Sequence, residues 1–355
     1  MTPTKIGPSA IAALLAGSLV GAFPATPARQ LSPRAPCPDV DGTFIIHQLG
    51  LYPENSDFDL NTCLLYIGVL FNASMAIYNP YDQTTELISF PDITQNQAFH
   101  VGGVAVNPHK NLVSIVADAG AAFVTAGHDI SGTNTLITWD PEAKREVSRI
   151  NLTETTQGTY GGFQDVEFDS RGNVYVVGTF PSSILRVENN GSTVNEWFKS
   201  NGSHTVTGFQ GLALTGDVLL ANDNTVASNG SLVKFDTTAS KGTPVTVPVN
   251  PPRSIAGSDA LYFPPKYNGT VLLVAVSASG VEVLRSRDGL WNEAEGLGQV
   301  LNSNRLADGA NVTAVVQIGC RLFMNEEFFA DAQPGNRTIF PWVDITADVD
   351  RLLAA

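Results

Sequence analysis

Two stretches of this chain open on the same Gly-Phe-Gln step and then run through the same succession of strand-like segments, and this internal repeat restricts the fold more than any other feature. The clearer copy reads Gly162-Phe163-Gln164-Asp165-Val166-Glu167-Phe168-Asp169, a Ser-Arg-Gly turn, then Asn173–Thr179 and Ser183–Val187. The turn supplies a glycine where a hairpin needs positive φ. The second copy runs Gly208–Leu214, Asp217–Asn222 and Gly230–Phe235. The same grammar recurs at His100–Val106 with Leu112–Asp118 and Thr135–Trp139, at Gly257–Phe263 with Thr270–Val276 and Gly280–Leu284, and at Asn311–Val316 with Arg321–Met324. A more degenerate unit lies at Asn61–Phe90, through Leu64–Phe71, Ser74–Tyr78 and Glu86–Phe90.

Six units, each on the order of 50 residues and built from three or four antiparallel strands, predict an all-β, six-bladed β-propeller with four-stranded blades. A β-sandwich would give no reason for a recurring Gly-Phe-Gln. Gly42–Leu49 and Thr338–Ile345 are both strand-like and could share a blade, closing the ring and removing its exposed edges. The expected organisation is a signal peptide over 1–28, a linker over 29–41 and one propeller over 42–355.

The signal-peptide expectation rests on Lys5, an apolar run from Ile11 to Phe23, and the small-residue stretch Ala25-Thr26-Pro27-Ala28. That run is too short to span a bilayer, so no membrane span is expected in the mature chain. Sequons at Asn72, Asn151, Asn190, Asn201, Asn229, Asn268, Asn311 and Asn336 agree with the secretory pathway and glycosylation. A net charge of −14 argues against nucleic acid or an anionic membrane as partner. The three cysteines, Cys37, Cys63 and Cys320, allow one disulfide. Cys63 with Cys320, both in strand-like segments of neighbouring blades, and Cys37 with Cys63 are the candidate pairs.

In a propeller the innermost strand of each blade lines the channel, so the start of that strand and the end of the next converge on one mouth. The first set is His100, Gln164 with Asp165, Gln210, Asp259 and Thr313. The second is Asp118, Thr179, Asn222 with Asp223, Ser277, and Asn325 with Glu326. Each has a structural alternative: the glutamines could bond unpaired backbone groups, and Asp118 or Asp259 could cap turns. His47 reads as structural, and His109, His128 and His204 as loop residues. Phe163 and Phe209 recur at one blade position, the pattern of packing between blades. With Tyr160, Phe180 and Trp291 they are also candidates for apolar pocket walls. There is no Gly-x-Ser-x-Gly elbow, P-loop, HExxH or Rossmann fingerprint. A calcium or zinc site would need Asp118, Asn222, Asp259 and Glu326.

The segments Tyr160–Val187, Cys63–Ser74 and Tyr52-Pro-Glu-Asn55 resemble a fungal family encoded in secondary-metabolite clusters. That family includes the trichothecene-cluster propeller protein and, in closest likeness, the hetero-Diels–Alderases of eupenifeldin- and xenovulene-type tropolone–sesquiterpene clusters. The resemblance implies a cofactor-free pericyclase acting on polyketide and terpene substrates. A hydroxymethyl tropolone loses water to an ortho-quinone methide, which adds across an alkene of a humulene-type sesquiterpene to form a dihydropyran. Such chemistry needs a dry pocket, donors to the tropolone oxygens and an acid–base group. Blade geometry then assigns His100 or Asp259 as acid–base group and Gln164 and Gln210 as oxygen-orienting donors. Asn222 lines the site, with Phe163, Phe209 and Tyr160 as walls. A metal-dependent propeller lactonase or hydrolase and a non-catalytic metabolite-binding propeller are the competing readings.

Overall fold

Alternating apolar residues and Asx turns organise the chain into six sheets arranged as the blades of a propeller. The computed structural model describes Met1 and residues 36–355, apart from Pro108, Val226, Gln333 and Pro334. The expected signal peptide and linker residues 29–35 lie outside the described residues. From the channel outward, blade one is Pro53–Asp59, Leu64–Val69, Ser74–Asn79 and Thr84–Ile88. Blade two is Phe99–Asn107, Leu112–Ala119, Thr135–Asp140 and Arg145–Asn151. Blade three is Gly161–Phe168, Val174–Phe180, Ser183–Val187 and Val194–Lys199. Blade four is Phe209–Thr215, Val218–Asp223, Ser231–Asp236 and Val245–Val247. Blade five is Ser258–Tyr262, Val271–Val276, Gly280–Arg285 and Ala294–Leu301, with a two-residue strand, Val249–Asn250, added in parallel at its outer edge. Blade six is Asn311–Ile318, Arg321–Glu327 and Ile339–Asp344, completed by Phe44–His47 from the start of the described chain.

That last pairing closes the ring. Phe44 faces Trp342 and His47 faces Ile339 in antiparallel register. Phe44 stacks on Trp342 and Tyr78 and meets Phe323 edge-on, so the closure is aromatic as well as hydrogen-bonded. Blade one begins one strand earlier than the repeat suggested, because Pro53–Asp59 carries almost no apolar alternation.

Turn chemistry repeats from blade to blade. Asp59 and Asn107 end the inner strands of blades one and two and Asp169 directly follows that of blade three, and their side chains accept backbone N–H bonds from the turn that follows. Asn79, Asp140 and Asp236 do the same between third and fourth strands. These are local Asx turns that sequence can specify.

The core is divided into slabs between neighbouring blades. Leu136, Val116, Phe163, Tyr160 and Leu185 fill one slab, and Tyr175, Trp197, Phe209, Leu219 and Phe235 fill the next. The C-terminal helix Thr346–Ala354 packs Val349, Leu352 and Leu353 onto the slab beside blades five and six. Its single amphipathic face was not apparent among so many strands.

Cys37 and Cys63 form the disulfide, with Cα atoms 5.5 Å apart. Cys320 is exposed and unpaired. Cys63 and Cys320 both sit in the turns between first and second strands, not in the strands themselves. Among the described residues no helix is long and apolar enough to cross a membrane. Six sequon asparagines are exposed, while Asn72 and Asn311 are half-buried.

Candidate functional site

Every inner strand breaks register with its neighbour at the same place. The break falls between Pro53 and Ser56 in blade one, Val101 and Val104 in blade two, and Phe163 and Asp165 in blade three. It recurs between Phe209 and Leu212, Ser258 and Leu261, and Val312 and Ala314. A bulge leaves one residue unpaired and re-aims its side chain. The re-aimed residues are Glu54, Gly102, Gln164, Gln210, Asp259 and Thr313, one per blade.

This ring is not symmetric. Thr313 is buried, with its hydroxyl on the Pro53 carbonyl. Gly102 has no side chain, and a Cβ there would lie 3.1 Å from the Gln164 carbonyl oxygen and 3.4 Å from Glu54 Oε2. The space it leaves opens into a cavity of about 340 Å³ that extends toward blade two. Glu54, His100, Asp118, Gln164, Gln210, Asp259 and Ser277 form its polar floor, and Leu70, Phe71, Phe123, Val124 and Phe329 its apolar wall and rim. Phe123 and Val124 come from a short helix, Ala121–Val124, in the long loop of blade two. Phe123 is braced edge-on by Phe180. Val124 is 70% and Phe329 43% exposed, so the rim is apolar and open to solvent.

Electrostatics set the character of the floor. None of the lining residues is Lys or Arg. Burial, then the charges of Asp259, Asp165, Glu327 and Asp118, push the Glu54 carboxyl well above its ordinary range. Burial does the same to Asp118 and to Glu327, which ends the second strand of blade six. Asp259 is raised to about 7 by burial and the Asp165 charge, against a hydrogen bond from Ser277. His100 is driven the other way by burial, toward the neutral imidazole, and packs edge-on against Phe71. The result is a set of carboxyls whose hold on their protons is strengthened, beside an imidazole whose hold is weakened. One oxygen of Asp118 and both of Glu327 are buried without a hydrogen-bond partner among the described residues.

Of the residues singled out in sequence, His100, Gln164, Gln210 and Asp259 meet in the cavity, joined by Asp118 and Ser277. Gln164 donates Nε2 to the Gln210 carbonyl at 3.0 Å, and Gln210 accepts from Asn224. Gln164 Oε1 and Gln210 Nε2 have no partner among the described residues. The other expected site residues are placed elsewhere. Tyr160, Phe163 and Phe209 are buried in the slabs between blades, because an aromatic side chain at the start of the inner strand points sideways at the neighbouring blade. Trp291 is buried within blade five's slab. Asn222 is fully buried, its oxygen accepting the Gln210 and Gly211 N–H groups and its amide donating to Ser258 and the Asp259 carbonyl. Thr179 and Asn325 are likewise tied to neighbouring backbone carbonyls. Asp165 bonds Asn55 and the Leu212 N–H, stapling three blades together.

A metal set of Asp118, Asn222, Asp259 and Glu326 does not assemble. Asn222 has spent its oxygen on backbone, and Glu326 is bonded by Asn302 and Asn304. Among the described residues no group of three or more His, Cys, Asp or Glu is spaced to hold a metal ion. Sequence reasoning missed Glu54, Phe71, Phe123, Val124 and Phe329. Glu54 was legible only through Tyr52-Pro-Glu-Asn55, and the apolar wall and rim residues sit on connections between strands that carry no repeat.

The fold and site together define a six-bladed propeller with an acid-rich, half-apolar pocket at one channel mouth. A family-wide profile described as Mal s 1 allergenic protein-like matches residues 31–298, and the chain belongs to that family. It is 37% identical over 341 residues to trichothecene biosynthesis protein 14 of Trichoderma arundinaceum, covering 90% of this chain and 92% of that one. It is 30% identical over 329 residues to core trichothecene cluster protein 14 of Fusarium sporotrichioides, covering 85% and 84%. The family therefore includes proteins of fungal biosynthetic clusters. The crystal structure of the Malassezia sympodialis allergen Mala s 1 superposes with a TM-score of 0.74 at 21% identity, over 86% of this chain and 96% of that one, which shows the shared propeller fold.

Proposed function

We propose that this protein is a cofactor-independent cyclase of fungal secondary metabolism, a hetero-Diels–Alderase that acts in the secretory pathway. Its reaction joins a tropolone ortho-quinone methide to a humulene-type sesquiterpene. The observation that carries this reading is the cavity's division into neutral-acid floor and apolar wall. Loss of water from a hydroxymethyl tropolone needs a proton for the departing hydroxyl, and Asp259, held near 7, is poised to exchange one at working pH. The unpartnered Gln210 amide is placed to donate to a ring oxygen as charge shifts onto it. His100, kept neutral, offers a further hydrogen bond without bringing a charge. The hydrocarbon partner packs against Phe71, Phe123, Val124 and Phe329, which hold it over the diene and keep water out. Relatives named for trichothecene clusters support a role beside terpene-derived chemistry.

The test is turnover. Purified protein, a hydroxymethyl tropolone and a humulene-type sesquiterpene should give adduct faster than the spontaneous reaction and with a different stereochemical outcome. EDTA should leave the rate unchanged. Gln210→Ala and His100→Phe should each lose rate and selectivity. Product ratios identical to background with the wild-type protein would sink the proposal, and loss of activity on chelation would transfer it to a metal-dependent hydrolase.

A further inference from the structure

We propose that Glu54 is the proton partner of Asp259, the two carboxyls acting as a pair that moves one proton onto the departing hydroxyl and takes one from the ring hydroxyl. This rests on the dehydrating-cyclase reading above and adds a catalytic residue to it.

The geometry is that of equivalent positions. Glu54 follows the register break of blade one and Asp259 that of blade five, so the same bulge turns both toward the channel axis. Both line the one cavity, with only blade six between their blades. Glu54 is 7% exposed, and no hydrogen bond is among the influences on its carboxyl. Its Oε2 lies 3.4 Å from where a Cβ on Gly102 would stand, in the gap that glycine leaves. A carboxyl with no protein partner that lines a cavity is free to bond whatever enters it. The groups facing the pair are Asp118, Asp165, Glu327 and the neutral His100, with no cation lining the cavity. Among the charges that raise the Glu54 carboxyl, that of Asp259 comes first after burial, so a negative charge on Asp259 favours the protonated form of Glu54.

A pair holding one proton fits the chemistry. Glu54, the protonated carboxyl, gives its proton to the hydroxymethyl oxygen as the C–O bond breaks, and that oxygen leaves with the bonding pair as water. The ionised carboxyl removes the ring O–H proton, and the O–H electrons become the carbonyl of the quinone methide. The pair ends with one proton on the opposite member, so charge is conserved and the net change is loss of water. A proton passed between the two carboxyls restores the starting state.

The test uses two substrates, a hydroxymethyl tropolone and its acetoxymethyl ester, each with the same sesquiterpene. Acetate departs without being protonated, so it removes the need for the acid. Glu54→Gln keeps the side-chain shape, and its folding is checked by thermal unfolding. We expect at least about 100-fold loss with the hydroxymethyl substrate. The loss should shrink to within about tenfold with the ester. Glu54→Asp should recover part of the hydroxymethyl rate. Equal losses with both substrates, or full rate with the hydroxymethyl substrate, would overturn the role of Glu54 while leaving the cyclase intact. No acceleration of either substrate by the wild-type protein would instead remove the cyclase reading itself.

Discussion

Replacing Asp259 by Asn should change the stability of the propeller in a pH-dependent way that only a proton-holding carboxyl produces. In the native protein this group titrates at about 7, raised by burial and by Asp165, whereas in an unfolded chain an aspartate titrates at about 3.9. Between those values the native state binds the extra proton, so stability falls as pH rises through the window and levels off above it. From about pH 5 to about pH 7 that is two units at about 1.4 kcal/mol each, an upper limit of about 3 kcal/mol. Asp259 is only partly buried in the cavity wall, so solvent screening reduces the expected figure to about 1 kcal/mol. Asn keeps the shape and does not ionise. The stability of Asp259→Asn relative to wild type should therefore improve by about 1 kcal/mol between about pH 5 and about pH 8. Urea unfolding followed by tryptophan fluorescence at both pH values measures it. A variant that loses ground on going to the higher pH would show that Asp259 is ionised and stabilising, and the neutral-acid account of the cavity floor would be wrong.

Four further outcomes follow from other parts of the fold. Gly102→Gln, which gives blade two the residue found in blades three and four, should fill the cavity and cut turnover at least tenfold at an overpacking cost of about 1–3 kcal/mol, read by kinetics and thermal melting. Phe209→Ala should cost about 3–5 kcal/mol in chemical denaturation because the ring belongs to a slab between blades, with product stereochemistry unchanged. Phe123→Ala should do the reverse, altering selectivity with little effect on stability, and a comparison of the two variants separates wall from core. Removing the Cys37–Cys63 bridge by Cys37→Ser should lower stability by about 3 kcal/mol, given its sequence separation of 26 residues, and leave the adduct rate untouched.

The repeat, the number of blades and the pairing of the chain's two ends in one blade were legible from residues alone. Hairpin turns and strand alternation are local: Asp169 and Gly172 set their turn through contacts a few residues away. That the inner-strand starts share a mouth also followed, because closure of the ring leaves no other arrangement. Closure alone brings His100, Gln164, Gln210 and Asp259 to one mouth.

What each side chain does at that mouth depends on longer-range facts. A bulge decides whether a residue faces the axis or the next blade, and neighbouring positions part company there: Gln164 enters the cavity while Phe163 is sealed between sheets. Asn222 and Asp118 both close second strands, yet one is consumed by backbone and the other reaches the pocket. Glu54 lay on a strand without apolar alternation, and Phe123, Val124 and Phe329 on loops without repeats, so no periodicity marked them. Strand patterning is written in neighbours along the chain. Side-chain direction, burial and proton affinity at the channel mouth are set by groups from other blades, which only the closed ring brings within reach.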